Sequence, residues 1–121
     1  MEKYTKEELT EALRTVSSLI SNCEKAKLKF ATGTPQHTLL KNRIKALYIS
    51  KLLLTEEDIA DKYAKEELIE SLRPISSIIN KCGKAQLKLA KDSAHNARLK
   101  NIIKAMKIAE SLIVNEISKK G

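Results

Sequence analysis

The sequence has few aromatic residues, few turn residues and no long apolar run. Aromatic residues make up 3% of its 121 residues and tryptophan is absent, so the stacking surfaces of many RNA-binding proteins are almost missing. No apolar stretch approaches the roughly 20 residues that cross a bilayer. The first residues also lack the apolar core of a signal peptide. We therefore expect a soluble, cytoplasmic protein with no membrane partner.

Cysteines and catalytic motifs are equally scarce. Two cysteines, Cys23 and Cys82, do not make a disulfide framework in a chain of this length, and each falls where a small hydrophobic residue is expected. His37 and His95 have no Cys or acid at ligand spacing, so we expect no metal and no other cofactor. The sequence lacks a glycine-rich phosphate loop, a zinc-protease motif and a Ser–His–Asp arrangement. These absences predict that the protein is not an enzyme.

The residues that are abundant favour helices. Lys, Glu, Leu, Ile and Ala dominate, and there are only three glycines and two prolines. A hydrophobic fraction of 42% is ordinary for a globular protein, and the length predicts one domain, residues 1–121. The net charge of +8 and a pI near 9.5 favour acidic partners, although the same charge also serves solubility.

The chain is an internal duplication. When the sequence is shifted by 59 residues, "KYTKEELTEALRTVSSLISNCEKAKLKFA" (3–31) aligns with "KYAKEELIESLRPISSIINKCGKAQLKLA" (62–90). In the same register "LKNRIKALYI" (40–49) aligns with "LKNIIKAMKI" (99–108). About half of the aligned positions are identical and no gap is needed, which is the signature of a repeat. We call residues 3–60 the first repeat and residues 62–118 the second repeat.

The first half of the first repeat predicts one helix. Thr5 and Glu8 form a T-x-x-E capping box ahead of the apolar pattern. Apolar residues then recur at steps of three and four, which places them on one stripe of a helix that ends near Ala31. The stripe consists of Leu9, Leu13, Val16, Ile20, Cys23 and Phe30.

A turn and a second helix follow. Gly33 is placed for a left-handed C-terminal cap of the first helix. Thr34 is the predicted N-cap of the next helix and Pro35 its first residue, where the missing N–H of proline does no harm. We expect this second helix to run to about Leu54.

The second repeat follows the same plan with local changes. Ser93 is the predicted N-cap of the fourth helix, which we expect to run to about Ser118. Ala64 stands at the N-cap position of the third helix, where it has no side-chain acceptor. Pro74 lies well inside that helix and predicts a kink there or a break at Arg73.

Two such hairpins predict an all-α antiparallel four-helix bundle with a pseudo-twofold axis, because one hairpin alone cannot bury its apolar stripe. The junction at residues 52–64 contains no Gly or Pro. Thr55 and Asp58 could begin a new helix there, or the second helix could continue through the junction. In the latter case the chain could not fold back, and the bundle would form between two chains as a swapped dimer.

The second and fourth helices carry two apolar stripes each. Such a helix is covered on two sides, either by helices of the same bundle or by a homodimer or protein-partner surface. The first stripe comprises Leu40, Ile44, Leu47 and Leu54, matched by Leu99, Ile103, Met106 and Ile113. The second comprises Leu39, Ala46, Ile49 and Leu53, matched by Ala105, Ile108 and Leu112. The candidate self-association residues are Ile49, Leu53, Ile108 and Leu112.

Charge is distributed unevenly along the chain. Residues 25–51 contain seven Lys or Arg and no acid, and residues 81–107 contain eight against Asp92 alone. In an up-down bundle these segments meet at one end, and the acidic residues gather at the other. Helix dipoles favour acids, not lysines, at the starts of the second and fourth helices, so these cations indicate either an anion or nucleic-acid-backbone site or a solvated face. The candidate residues are His37, Lys41, Lys45, Arg98, Lys100 and Lys104.

The segments "YTKEEL", "CEKA" and "GTPQHTLLKNRIKAL" resemble a group of short, uncharacterised bacterial proteins that share Y-T-K-E-E-L, C-E-K-A and G-T-x-Q-H-T-L-L-K-N-R-I-K-A-L. The resemblance covers the first repeat and, more loosely, the second, where "DSAHNARLKN" departs from the motif. It implies a relative with a single repeat, and hence a fused dimer of hairpins. It implies no activity and no functional residue.

Together these features favour a non-enzymatic helical bundle that acts as an interaction or regulatory module. The alternative is a protein that binds an anion or a nucleic-acid backbone through the basic end of the bundle.

Overall fold

The computed structural model describes residues 4–120 and is an all-α four-helix bundle, as predicted. The helices are α1 (Lys6–Lys27), α2 (Pro35–Leu54), α3 (Lys65–Gln86) and α4 (Ala94–Lys119). Within the described residues there is no strand. No helix of this part of the chain is long and apolar enough to cross a membrane.

The odd-numbered helices begin at related caps of unequal quality. At α1 the predicted capping box is confirmed: Thr5 Oγ1 accepts from the Glu8 N–H at 3.0 Å, and Glu8 Oε1 accepts from the Thr5 N–H at 3.0 Å. At α3 the side-chain cap is missing, as expected for Ala64. Glu67 Oε1 still accepts from the Ala64 N–H at 2.9 Å. Half of the capping box therefore survives in the second repeat.

The even-numbered helices begin at the predicted hydroxyl caps. Thr34 Oγ1 accepts from the His37 N–H at 3.2 Å, and Pro35 is the first residue of α2. Ser93 Oγ accepts from the Asn96 N–H at 3.1 Å at the start of α4. Each hydroxyl satisfies one of the N–H groups that a helix start leaves without an intrahelical acceptor.

The end of α1 differs from the prediction. The helix ends at Lys27 and not near Ala31, so Phe30 leaves the apolar stripe and is 39% exposed. Gly33 has the predicted left-handed conformation, with φ +93°. It lies just before the N-cap Thr34, however, and does not end α1. The apolar pattern continued into the loop and so placed the boundary too late.

The predicted break in α3 does not occur. The helix runs without interruption through Pro74 from Lys65 to Gln86. A proline removes one backbone hydrogen bond and strains the preceding turn. Leu68 on one side of it and Ile75 on the other are fully buried, and these contacts with the rest of the bundle hold the helix together across the defect.

The sequence left open whether the junction between the repeats turns or continues as helix, and the structure shows that it turns. The third helix begins at Lys65 and not at Thr55. After the last residue of α2, Glu56 adopts a left-handed φ of 60°. The N–H of Glu56 donates to the Leu53 carbonyl and that of Glu57 to the Leu52 carbonyl, both at 3.0 Å. This pair of bonds is a Schellman motif, which ends a helix by satisfying its last carbonyls. The chain folds back on itself, and a swapped dimer is not needed.

Contacts within the junction hold it against the bundle. Ile59 is fully buried in the core. Asp58 Oδ1 accepts from the Ala60 N–H at 3.0 Å, which tightens the turn. The Lys120 ammonium donates to the Ala60 carbonyl and ties the C-terminal end of α4 to the junction. Ile59 therefore anchors a mainly polar segment to the core, and the partly buried Tyr63 packs against the same core.

The two kinds of helix occupy different positions in the bundle. α2 and α4 contact each other and both odd-numbered helices, whereas α1 and α3, in the part of the chain that the structure describes, do not contact each other. This explains why α2 and α4 carry two apolar stripes: they are covered by other helices of the same bundle.

The candidate self-association surface is therefore largely interior. Ile49 and Ile108 are buried in the core of the single chain. Leu53 and Leu112 are partly buried and pack against the same core. The first two cannot meet a partner without unfolding, so the surface predicted from the second stripe is wrong for them. The physical reason is the diagonal contact between α2 and α4, which covers this stripe.

The direction of the helices brings both interhelical loops to one end. Glu8, near the start of α1, contacts Lys104 in the middle of α4, whereas Ser18, further along α1, lies beside Arg98 near the start of α4. Residue numbers thus rise in opposite directions, and α1 and α4 are antiparallel. Consequently the loops 28–34 and 87–93 lie at the same end of the bundle.

Candidate functional site: the basic end of the bundle

Two of the predicted anion-binding lysines form ion pairs with glutamates of neighbouring helices. Lys45 Nζ on α2 lies 2.7 Å from Glu67 Oε2 on α3, and Lys104 Nζ on α4 lies 3.7 Å from Glu8 Oε2 on α1. The two pairs occupy equivalent positions of the two repeats. A carboxylate this close reduces the attraction of the lysine for a further anion. The positive charge at the starts of α2 and α4, unexpected from the helix dipoles, is thus explained in part by acids on neighbouring helices.

Each glutamate of these pairs serves two partners. One carboxylate oxygen caps its own helix and the other contacts the lysine of the adjoining repeat. The pKa of Glu67 is lowered mainly by the hydrogen bond from Lys45 and then by the Ala64 N–H. The pKa of Glu8 is lowered mainly by the backbone N–H of Thr5. The hydrogen bond to Glu67 in turn raises the pKa of Lys45.

The remaining candidates do not form one site. His37 is half-buried, and Lys41, Arg98 and Lys100 are exposed. Arg98 lines a groove between α1 and α4, while Lys100 and Lys104 line a different open groove. Lys45 lines a third, between α2 and α3. The six predicted residues are therefore distributed over several surfaces of two helices.

Charge is instead concentrated at the loops. We define the basic end as residues 25–34 and 84–93, the last turns of α1 and α3 with the loops that follow. It contains six lysines and one acid, Asp92. None of these lysines forms an ion pair within residues 4–120, and all but the half-buried Lys27 are exposed. The lysines are Lys25, Lys27, Lys29, Lys84, Lys88 and Lys91.

Two leucines protrude from the same end. Leu28 is 85% exposed and Leu87 is 87% exposed, and they are equivalent residues of the two repeats. Each follows the last residue of its helix directly. Sequence reasoning missed them, although a signal was present: both leucines lie off the apolar stripe, Leu28 between two lysines and Leu87 directly before one. An apolar residue off the stripe and among cations indicates exposure.

Arg43 is a second feature that the sequence pattern did not single out. Its Nε and Nη2 atoms are buried and have no hydrogen-bond partner within the described residues. The guanidinium is close enough to Cys23 on α1 and Cys82 on α3 to influence both thiols. The equivalent residue of the second repeat is the buried Ile102. The first repeat thus places a cation where the second places a hydrophobic side chain.

The two thiols are poor nucleophiles. Burial raises the pKa of Cys23 and of Cys82, and the nearby Arg43 only partly offsets this, so both remain protonated at neutral pH. Both are free cysteines. Because α1 and α3 have no Cα atoms within 8 Å of each other, the two residues are too far apart for a disulfide without backbone movement.

The described residues also offer no cluster of ligands for a metal: nowhere in 4–120 do three or more His, Cys, Asp or Glu side chains lie together in a suitable arrangement.

Comparison of the chain with protein-family models, curated proteins and solved structures finds no match in any of the three.

Proposed function

We propose that the protein is a non-enzymatic interaction module that binds an anionic partner through its basic end. The observation that carries this proposal is the group of six lysines in the last turns of α1 and α3 and the loops that follow. They lie at one end of the bundle beside a single acid, and none of them forms an ion pair within residues 4–120. A solvated face needs no such segregation of charge. Unpaired lysines that converge on one end attract polyanions and accelerate their association.

The rest of the molecule supports an interaction role over a catalytic one. The two thiols are protonated and half-buried. The lysines of α2 and α4 nearest to the acids are used for ion pairs between the repeats. The lysines of the basic end form no ion pair within residues 4–120, so they stay available to a partner.

Binding to heparin, a soluble polyanion, tests the proposal. We expect binding that weakens steeply as salt rises, because released counterions drive the association. The double variant Lys29→Gln/Lys88→Gln removes one lysine from each loop of the basic end and should bind several-fold more weakly. The matched control Lys6→Gln/Lys65→Gln removes two equivalent lysines at the opposite end, where α1 and α3 begin.

The control distinguishes a local site from net charge. Both double variants carry the same charge, so equal losses of heparin affinity would show that the basic end has no special role. A complete absence of heparin binding at low salt, together with no binding to anionic vesicles, would reject the proposal.

We also propose that the two repeats are related by a pseudo-twofold axis, as in a fused dimer of hairpins, and that the protein acts in the cytoplasm. The two equivalent Lys–Glu pairs and the resemblance of the first repeat to short bacterial proteins support the first point. The free cysteines support the second, because secreted proteins of this size often carry disulfides.

A further inference from the structure

The anionic partner has a chemistry that the exposed leucines help to identify. Leu28 and Leu87 are 85% and 87% exposed, whereas Ile69, the next most exposed large hydrophobic residue of positions 4–120, is 49% exposed. Both leucines lie at the same end of the bundle, at equivalent positions of two loops. Contact with water stabilises neither side chain, so a partner with an apolar phase accounts for two largely exposed leucines better than solubility does.

The lysines lie where such a partner would need them. Lys27 and Lys29 flank Leu28, and Lys88 follows Leu87 directly. Lipid bilayers with anionic headgroups combine an outer layer of negative charge with an apolar interior a few ångströms deeper. Peripheral proteins bind them with cations at the headgroup level and apolar side chains inserted below. The K-L-K segment at residues 27–29 presents both kinds of group at one point.

We propose that the basic end binds the surface of an anionic phospholipid bilayer, with Leu28 and Leu87 inserted between the headgroups. This inference rests on the proposed function and specifies its partner. A nucleic acid would use the lysines but would leave the leucines in water beside phosphates, and the described residues offer little aromatic surface for bases. The expectation of no membrane partner came from the lack of a spanning segment, and peripheral binding requires none.

The absence of tryptophan from the chain makes insertion directly measurable. In Leu87→Trp the new indole is the only tryptophan, and its emission should shift to the blue when mixed phosphatidylcholine–phosphatidylserine vesicles are added. Phosphatidylcholine vesicles alone should leave it unchanged. The matched control is Val114→Trp, because Val114 is 47% exposed on α4 near the opposite end of the bundle. Its emission should not shift with either vesicle.

Vesicle co-sedimentation tests the contribution of the leucines. Leu28→Ser/Leu87→Ser should weaken binding to the mixed vesicles about tenfold or more, since each buried leucine contributes on that scale. Ile69→Ser/Val114→Ser, which removes two exposed apolar residues elsewhere, should bind like the unaltered chain. Circular dichroism of each variant verifies that the bundle is folded, as expected for substitutions at exposed positions.

The outcomes separate this inference from the proposed function. Unchanged vesicle binding by Leu28→Ser/Leu87→Ser, or an equal blue shift in Val114→Trp, would overturn insertion while leaving charge-based binding intact. Binding to heparin or duplex DNA without binding to the mixed vesicles would also overturn insertion and leave charge-based binding intact. Failure to bind heparin, DNA and vesicles alike would overturn both.

Discussion

The two repeats place the same elements around the same core, but they differ in how each element is secured. Both use a glutamate near the start of the odd-numbered helix to hold a lysine of the other repeat, and both expose a leucine after that helix. The features that the repeats share are thus the inter-repeat ion pairs and the basic end. The features that differ are the caps, the loops and one interior position.

The two interhelical loops, residues 28–34 and 87–93, are stabilised in different ways. In the first repeat Gly33 reverses the chain with φ +93°. In the second repeat Asn96, buried near the start of α4, donates to the Ala90 carbonyl at 3.2 Å and accepts from the Gln86 side chain at 2.9 Å. A backbone conformation that favours glycine is replaced by side-chain hydrogen bonds. The two loops nevertheless present their leucines with almost the same exposure.

The interior difference between Arg43 and Ile102 predicts the largest effect. Arg43→Ile should raise the free energy of unfolding by about 1–3 kcal/mol, because it removes two buried N–H groups that have no acceptor within the described residues. Ile102→Arg should lower it by about 3–5 kcal/mol, since it adds an uncompensated charge to the core. Urea denaturation followed by circular dichroism measures both. A destabilised Arg43→Ile would mean that the guanidinium has an acceptor in solution.

The helix caps predict two smaller changes in the free energy of unfolding, one upward and one downward. Ala64→Thr should restore the side-chain cap of α3 and raise the free energy of unfolding by about 1 kcal/mol, and Thr5→Ala should lower it by a similar amount. Thermal unfolding of the two variants and of the combined variant measures these effects. If Ala64→Thr left the melting temperature of the chain unchanged, Glu67 alone would be sufficient to secure this helix start.

The ion pairs predict the smallest effect, which depends on pH. The folded-state pKa values of Glu8 and Glu67 are lowered, so their contribution to stability is present above the unfolded carboxyl pKa. It is lost as pH falls through the folded pKa. Lys45→Met should reduce the stability that the chain loses on acidification more than Lys104→Met does. The reason is that Lys45 is the main cause of the shift at Glu67, whereas the Thr5 N–H is the main cause at Glu8.

Urea midpoints at neutral pH and below the carboxyl range measure this difference between the repeats. High salt should also reduce the difference in urea midpoint between the unaltered chain and each variant. The reason is that both ion pairs are solvent-accessible and are therefore screened. If Lys104→Met changed the loss of stability at low pH more than Lys45→Met does, the causes assigned to the two pKa shifts would be wrong.

Much of the fold was predictable because its signals are local. The hydroxyls of Thr5, Thr34 and Ser93 cap helices that start where the sequence indicates, and a cap needs only residues within one turn. Apolar periodicity likewise identified four helices and most of the core. The same periodicity misplaced the end of α1, since it cannot distinguish a helical turn from the loop that follows it.

The candidate site was less predictable because it depends on neighbours that are distant in sequence. The sequence indicated which end would be basic, but not that Lys45 and Lys104 would contact glutamates of the other repeat. It showed two apolar stripes on α2 and α4, but not that the diagonal contact between those helices would cover Ile49 and Ile108.

The sequence by itself determined the repeat, the helix starts and the concentration of lysine near the loops, because these follow from residue type and spacing along the chain. Only the tertiary structure decided which charges are paired, that the junction turns at Glu56, and that Leu28 and Leu87 protrude. Pairing and exposure are properties of the space between helices. They are set by the packing of the whole bundle and not by any one segment of it.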